Sequence, residues 1–136
     1  MTDLERLYVT ADKNGISVYN VCMPSALSVC ARVDSEYYIG IDKSRMESSK
    51  DEAEVFAHEL GHCITDSVYS PLDPSYIRKR CEARADEWAI RTVIPFYKFK
   101  KALKKGCCEI WEFADELGVS FSLAEKAMIY YSNRTK

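Results

Sequence analysis

Residues 52–62 read Glu-Ala-Glu-Val-Phe-Ala-His-Glu-Leu-Gly-His. Ala53, Phe56, Ala57, Leu60 and, just beyond, Ile64 recur at helical spacing, which predicts a helix over about 50–64. Ser49 followed by Glu52 fits a capping box at its start. Inside this helix lies the pattern H-E-x-x-H, made by His58, Glu59 and His62. These are the only two histidines in the chain. Residues four apart on a helix sit roughly 6 Å apart on one face. Two imidazoles there converge on one ion at zinc–nitrogen distances of about 2.0–2.1 Å. Glu59 lies about 60° around the axis from His62. It borders the metal face without competing as a ligand, which suits a general base.

A catalytic zinc takes three protein ligands and keeps one position open. With no third histidine, the third ligand is a carboxylate or a thiolate. Downstream, Asp73 and Pro74 look like the start of a second helix running from Ser75 to about Val93, where Pro95 stops it. It carries Glu82 and Asp86, four apart on one face beside the small residues Ala85 and Ala89. One of these acids can ligate while the other receives the far N–H of a histidine and fixes its ring. The plain alternative is a solvated acidic edge paired with Arg80 and Arg84. Cys63 and Cys81 adjoin His62 and Glu82, but each points about 100° away from its neighbour and reads as packing.

Working outward, residues 2–10 suit a short helix. Ile16, Val18 and Val21, then Leu27, Val29, Ala31 and Val33, then Tyr37, Ile39 and Ile41 recur at a period of two. Pro24-Ser25 and Asp34-Ser35 separate these runs. They predict a small antiparallel sheet of about three strands. Two or three further helices are expected, over 96–105, 109–117 and from Ser122 to about Tyr131, the last opened by a Ser122-x-x-Glu125 box. The expected class is α+β, a single domain over 1–136 with about five helices packed on the sheet.

The composition excludes several other classes. At 136 residues, 47% hydrophobic and 29% charged, the chain has material for one core. A net charge of -2 gives no pull toward nucleic acid or an anionic membrane. The basic stretch Lys98, Lys100, Lys101, Lys104 and Lys105 therefore reads as a solvated helix face, and no direct nucleic acid binding is expected. No apolar run approaches a membrane span. The N-terminal MTDLERLYVT is polar and does not read as a secretory signal, so a cytoplasmic location and free thiols for the six cysteines are expected.

With both helices in view, the sequence resembles the ImmA/IrrE family of metallopeptidases. The matching segments are EAEVFAHELGH at 52–62 and CEARADEWAIRTVIP at 81–95. EYYIGID ahead of the first helix and DELGVSFSLAEKAMIYY near the end are similar too. Cys63-Ile64-Thr65 and Trp88 depart from the family's pattern without removing a ligand. The resemblance implies a gluzincin-like zinc site, with His58, His62 and Glu82 as ligands, Glu59 as catalytic base and Asp86 behind a histidine. It also implies a phage or mobile-element protein that cuts a helix-turn-helix repressor.

In that reaction zinc would acidify water and polarise the scissile carbonyl. Glu59 would carry the proton to the leaving amine. Tyr69, Tyr76 or Arg78 could donate to the developing oxyanion, and the sequence does not choose among them. Two rival functions stand beside this one: a non-catalytic zinc-containing module that regulates by docking to a repressor, and a hydrolase of some other amide or ester. Oligomeric state is not legible.

Overall fold

The computed structural model describes residues 1–134. Six α-helices and a three-stranded sheet make an α+β domain. Helix α1 (Asp3–Lys13) is capped by Thr2 in a reciprocal box with Glu5. Strands β1 (Ser17–Asn20), β2 (Ser28–Val33) and β3 (Glu36–Ile41) follow. Helices α2 (Ser49–Ile64), α3 (Ser75–Val93), α4 (Phe96–Lys104), α5 (Ile110–Leu117) and α6 (Phe121–Arg134) complete the domain. Among the described residues, no helix is long and apolar enough to cross a membrane.

The sheet is mixed, not wholly antiparallel as the sequence suggests. Its order is β1-β3-β2, with β3 antiparallel to β2 and parallel to β1. Consecutive strands do alternate in direction. The segment joining β1 to β2 nonetheless carries the chain past one strand position, and β3 returns into that gap. The β2–β3 turn is tight, with Asp34 and Ser35 both at positive φ (52° and 68°). This pair of values matches the twist of a two-residue hairpin. Ile39 and Ile41 of the central strand are fully buried, as its position demands.

The faces of β2 are also unexpected. Leu27, Val29 and Val33 are exposed. The strand turns Ser28, Cys30 and Arg32 toward α2 instead, in the same phase as Ile41, Ile39 and Tyr37 of β3. Two contacts mark how the strand lies along the helix. The Ser28 hydroxyl donates to Glu59, and Arg32 pairs with Asp66 at 3.5 Å.

Helix starts differ by a residue or two from expectation. Ser48 caps α2 by accepting from the Asp51 amide at 3.1 Å. Glu52, expected in the cap, instead accepts from the Tyr8 hydroxyl at 2.8 Å. Asp73 accepts from the Ser70 amide in the preceding turn, and α3 begins after Pro74 without a side-chain cap. Ser120, not Ser122, caps α6 through the Leu123 amide.

Phe56 and Leu60 of α2 pack with Leu7, Ile39, Ile41 and Ile94 in the core. Each such side chain contributes about 1.5–3 kcal/mol on burial. A second aromatic cluster ties the C-terminal helices together, with Phe99 stacked on Phe113 at 5.1 Å and the Tyr131 hydroxyl donating to the Ile94 carbonyl. The α2–α3 contact is the most extensive in the domain. At Gly61 an added Cβ would lie 2.6 Å from the Ala85 carbonyl oxygen. The two helices thus meet backbone to backbone, one residue from His62.

Candidate metal centre

His58 and His62 stand one turn apart on α2, their rings 4.8 Å apart and nearly perpendicular at 87°. Each ring is held from behind. His58 Nδ1 lies 3.0 Å from Asp86 Oδ1. His62 Nδ1 lies 2.9 Å from the Ser67 carbonyl oxygen. A carbonyl only accepts, so His62 carries a proton on Nδ1, and in the neutral ring the lone pair is then at Nε2. The Asp86 carboxylate selects the same tautomer in neutral His58.

Both Nε2 atoms then face each other and Glu82. They are 3.2 Å apart. Glu82 Oε1 is 3.2 Å from His58 Nε2, and Glu82 Oε2 is 2.6 Å from His62 Nε2. With both rings neutral these are three Lewis-basic atoms facing one another, and a cation seated among them would draw them together. A tetrahedral ion with bonds of about 2.0–2.1 Å holds its ligands roughly 3.3 Å from one another. The two 3.2 Å separations lie near that edge and the Glu82–His62 one is shorter, and the donor set of two imidazoles and a carboxylate converging on one point fits a metal. Among the described residues, His58, His62 and Glu82 form the group able to hold one.

The surrounding carboxylates favour positive charge at the site. Burial opposes a positive charge on His58, yet Asp86, Glu82 and Glu59 outweigh it and leave the pKa raised. Burial likewise works against the Asp86 charge. His58 and Lys126 overcome it and hold the carboxyl below its usual range. Lys126 of α6 reaches Asp86 at 3.4 Å. The chain Lys126–Asp86–His58 therefore leads from the surface to the ligand set.

Glu59 is buried and does not join the three ligands. It lines a cleft of about 350 Å³ together with His58, His62, Glu82, Tyr69 and Cys30. The Ser28 hydroxyl holds its carboxylate from the β2 side. Next along β2, the neighbouring Cys63 thiol, burial and Glu59 push the Cys30 thiol up, so it stays protonated. Cys63 is buried in the core. Neither Cys63 nor Cys81 enters the ligand group.

The structure thus brings together all five residues singled out from sequence: His58, Glu59, His62, Glu82 and Asp86. It adds Ser28, Ser67 and Lys126, which the sequence reading missed. The Ser67 contact is made by a backbone carbonyl and leaves no trace in residue type. Of the three oxyanion candidates, only Tyr69 lines the cleft with Glu59. Its ring meets His62 edge-on at 5.8 Å. Burial, then Glu82, raise its pKa. Tyr76 is 67% exposed, and the Arg78 Nε donates to the Asp73 carbonyl. No family model, curated protein or solved structure matches the chain.

Proposed function

We propose that this protein is a zinc-dependent peptidase that hydrolyses a peptide bond in a protein substrate, with Glu59 as the general base. The observation that carries the reading is the convergence of three ligand side chains beside a buried carboxylate that is not one of them. A bound zinc ion would supply Lewis acidity, polarising the scissile carbonyl and making water easier to deprotonate. Glu59 takes the proton from the attacking water and delivers it to the leaving nitrogen. Ser28 keeps the carboxylate aimed into the cleft during that transfer. Asp86 and the Ser67 carbonyl hold the two imidazoles with their Nε2 atoms turned toward Glu82.

The substrate route follows from the sheet. Among the described residues, strand β2 pairs only with β3, and Ser28, Val29 and Cys30 line the cleft. An open strand edge binds an extended peptide through backbone hydrogen bonds. A segment laid along β2 would carry its peptide bonds past Glu59. The resemblance of 52–62 and 81–95 to ImmA/IrrE peptidases supports a helix-turn-helix repressor of a phage or mobile element as the substrate, met in the cytoplasm.

Elemental analysis of gently purified protein tests the metal, and about one zinc per chain is expected. Incubation with a repressor encoded beside the gene tests the activity. Wild type should cut it at one site, and Glu59→Gln should bind zinc but leave it intact. A docking module would keep its regulatory effect in the Glu59→Gln variant. Metal near zero, or no cleavage of any candidate by wild type, would sink the peptidase reading.

A further inference from the structure

Water addition to a peptide carbonyl places negative charge on its oxygen, and a peptidase needs a donor aimed at that oxygen. Resting on the peptidase reading above, we propose that Tyr69 is this donor, a catalytic residue whose hydroxyl hydrogen-bonds the carbonyl oxygen as it becomes anionic.

The placement of Tyr69 is a by-product of how His62 is held. Helix α2 ends at Ile64, and Asp66 turns the chain back with φ 51°. The Ser67 amide then donates to the His62 carbonyl at 2.8 Å, while the Ser67 carbonyl accepts from His62 Nδ1. Two residues later, Tyr69 sets its ring edge-on against the same imidazole. One short turn thus orients a ligand and delivers a phenol beside it.

Base and phenol reach the cleft from different elements. Glu59 is tied to β2 through Ser28, whereas Tyr69 comes from the α2–α3 loop and lies beside Glu82 as well as His62. A carbonyl lying between them would meet the base's water from one element and the phenolic O–H from the other. A phenol, with an ordinary pKa near 10, is a protonated donor at neutral pH. The bookkeeping closes without moving its proton. The water oxygen bonds to the carbonyl carbon, Glu59 passes the water proton to nitrogen, the C–N bond breaks, and Tyr69 donates a hydrogen bond throughout.

The test is Tyr69→Phe in zinc-loaded protein, with Tyr69→Ala beside it. The probes are reduced, carboxymethylated casein as substrate, a phosphinic dipeptide as tetrahedral mimic and acetohydroxamate as a metal-only ligand. Tyr69→Phe should lower kcat about 100-fold with KM little changed. It should weaken the phosphinic peptide by a similar factor, with zinc content and acetohydroxamate affinity retained. A ring that merely braces His62 predicts the opposite split: Phe behaves as wild type and only Ala loses zinc. Wild-type kcat and phosphinic affinity in Tyr69→Phe, with wild type active, would overturn the Tyr69 assignment alone. Wild type that cleaves neither casein nor the repressor encoded beside the gene, and does not prefer the phosphinic peptide to acetohydroxamate, would overturn the peptidase reading and this assignment with it.

Discussion

Replacing Gly61 by alanine adds one methyl group where α2 and α3 touch backbone to backbone. Built on the existing chain, that carbon lies 2.6 Å from the Ala85 carbonyl oxygen, 3.0 Å from its Cα and 3.1 Å from its carbonyl carbon. A carbon-to-oxygen contact settles at roughly 3.3 Å or more. The shortfall is therefore about 0.7 Å, and the obstacle is helix backbone, not the end of a flexible side chain. Helix α3 must retreat or tilt, and it carries Glu82 and Asp86 on either side of Ala85. Metal–ligand distances hold to within about 0.2 Å, so the displacement exceeds what the site absorbs.

Two effects on stability compete at Gly61. Helix propensity favours alanine by about 1 kcal/mol, whereas overpacking costs about 1–3 kcal/mol. A clash with main chain puts the balance on the destabilising side. Apo Gly61→Ala should melt several degrees below wild type, and zinc competition against a chromophoric chelator should show affinity lowered about 10- to 100-fold. A higher apo melting temperature with zinc affinity unchanged would refute the claim that Gly61 sets the spacing of the ligand helices.

Asp86→Ala should free the His58 ring and lower zinc affinity about 10- to 100-fold while leaving the fold intact by circular dichroism; unchanged affinity would remove Asp86 from the site. Ser28→Ala should leave zinc binding alone and reduce turnover by roughly 10- to 100-fold, because it loosens the base; full activity would mean that Glu59 needs no such tether. In the metal-free fold the pKa of His58 lies above its ordinary 6.5, so its proton adds stability that is complete below 6.5 and lost as pH rises through the raised value. Zinc needs the deprotonated ring, so the melting-temperature gap between zinc-loaded and apo protein should widen from about pH 6 to about pH 8 in calorimetry. A flat gap would contradict that coupling.

The sequence was most legible where chemistry and period coincide. His58 and His62, and again Glu82 and Asp86, are four apart on helices whose apolar residues announce themselves, so spacing alone placed them on shared faces. It was least legible where several residues could fill one role. Ser48 and Ser49 can each cap a helix, and the choice fell to Ser48 once Glu52 bonded Tyr8. In β2 the alternation supplied a period but not the phase that faces inward. That phase depends on Glu59 of the partner helix and Asp66 of the turn after it, whose positions no local pattern encodes. The neighbour of β1 depends in the same way on where a connection lands.

The orientation of β2 leaves the domain locally frustrated. A strand with Val29, Ala31 and Val33 on one side and Ser28, Cys30 and Arg32 on the other would bury more apolar surface by facing the first set inward. A one-residue slip would achieve that exchange. The hairpin at Asp34 and Ser35, both at positive φ, holds the other register. Valine at position 28 or 30 should therefore make a sturdier protein and a worse catalyst. Selection for thermal robustness alone would drift toward such changes, and the serine beside Glu59 marks a position where stability and function pull in opposite directions.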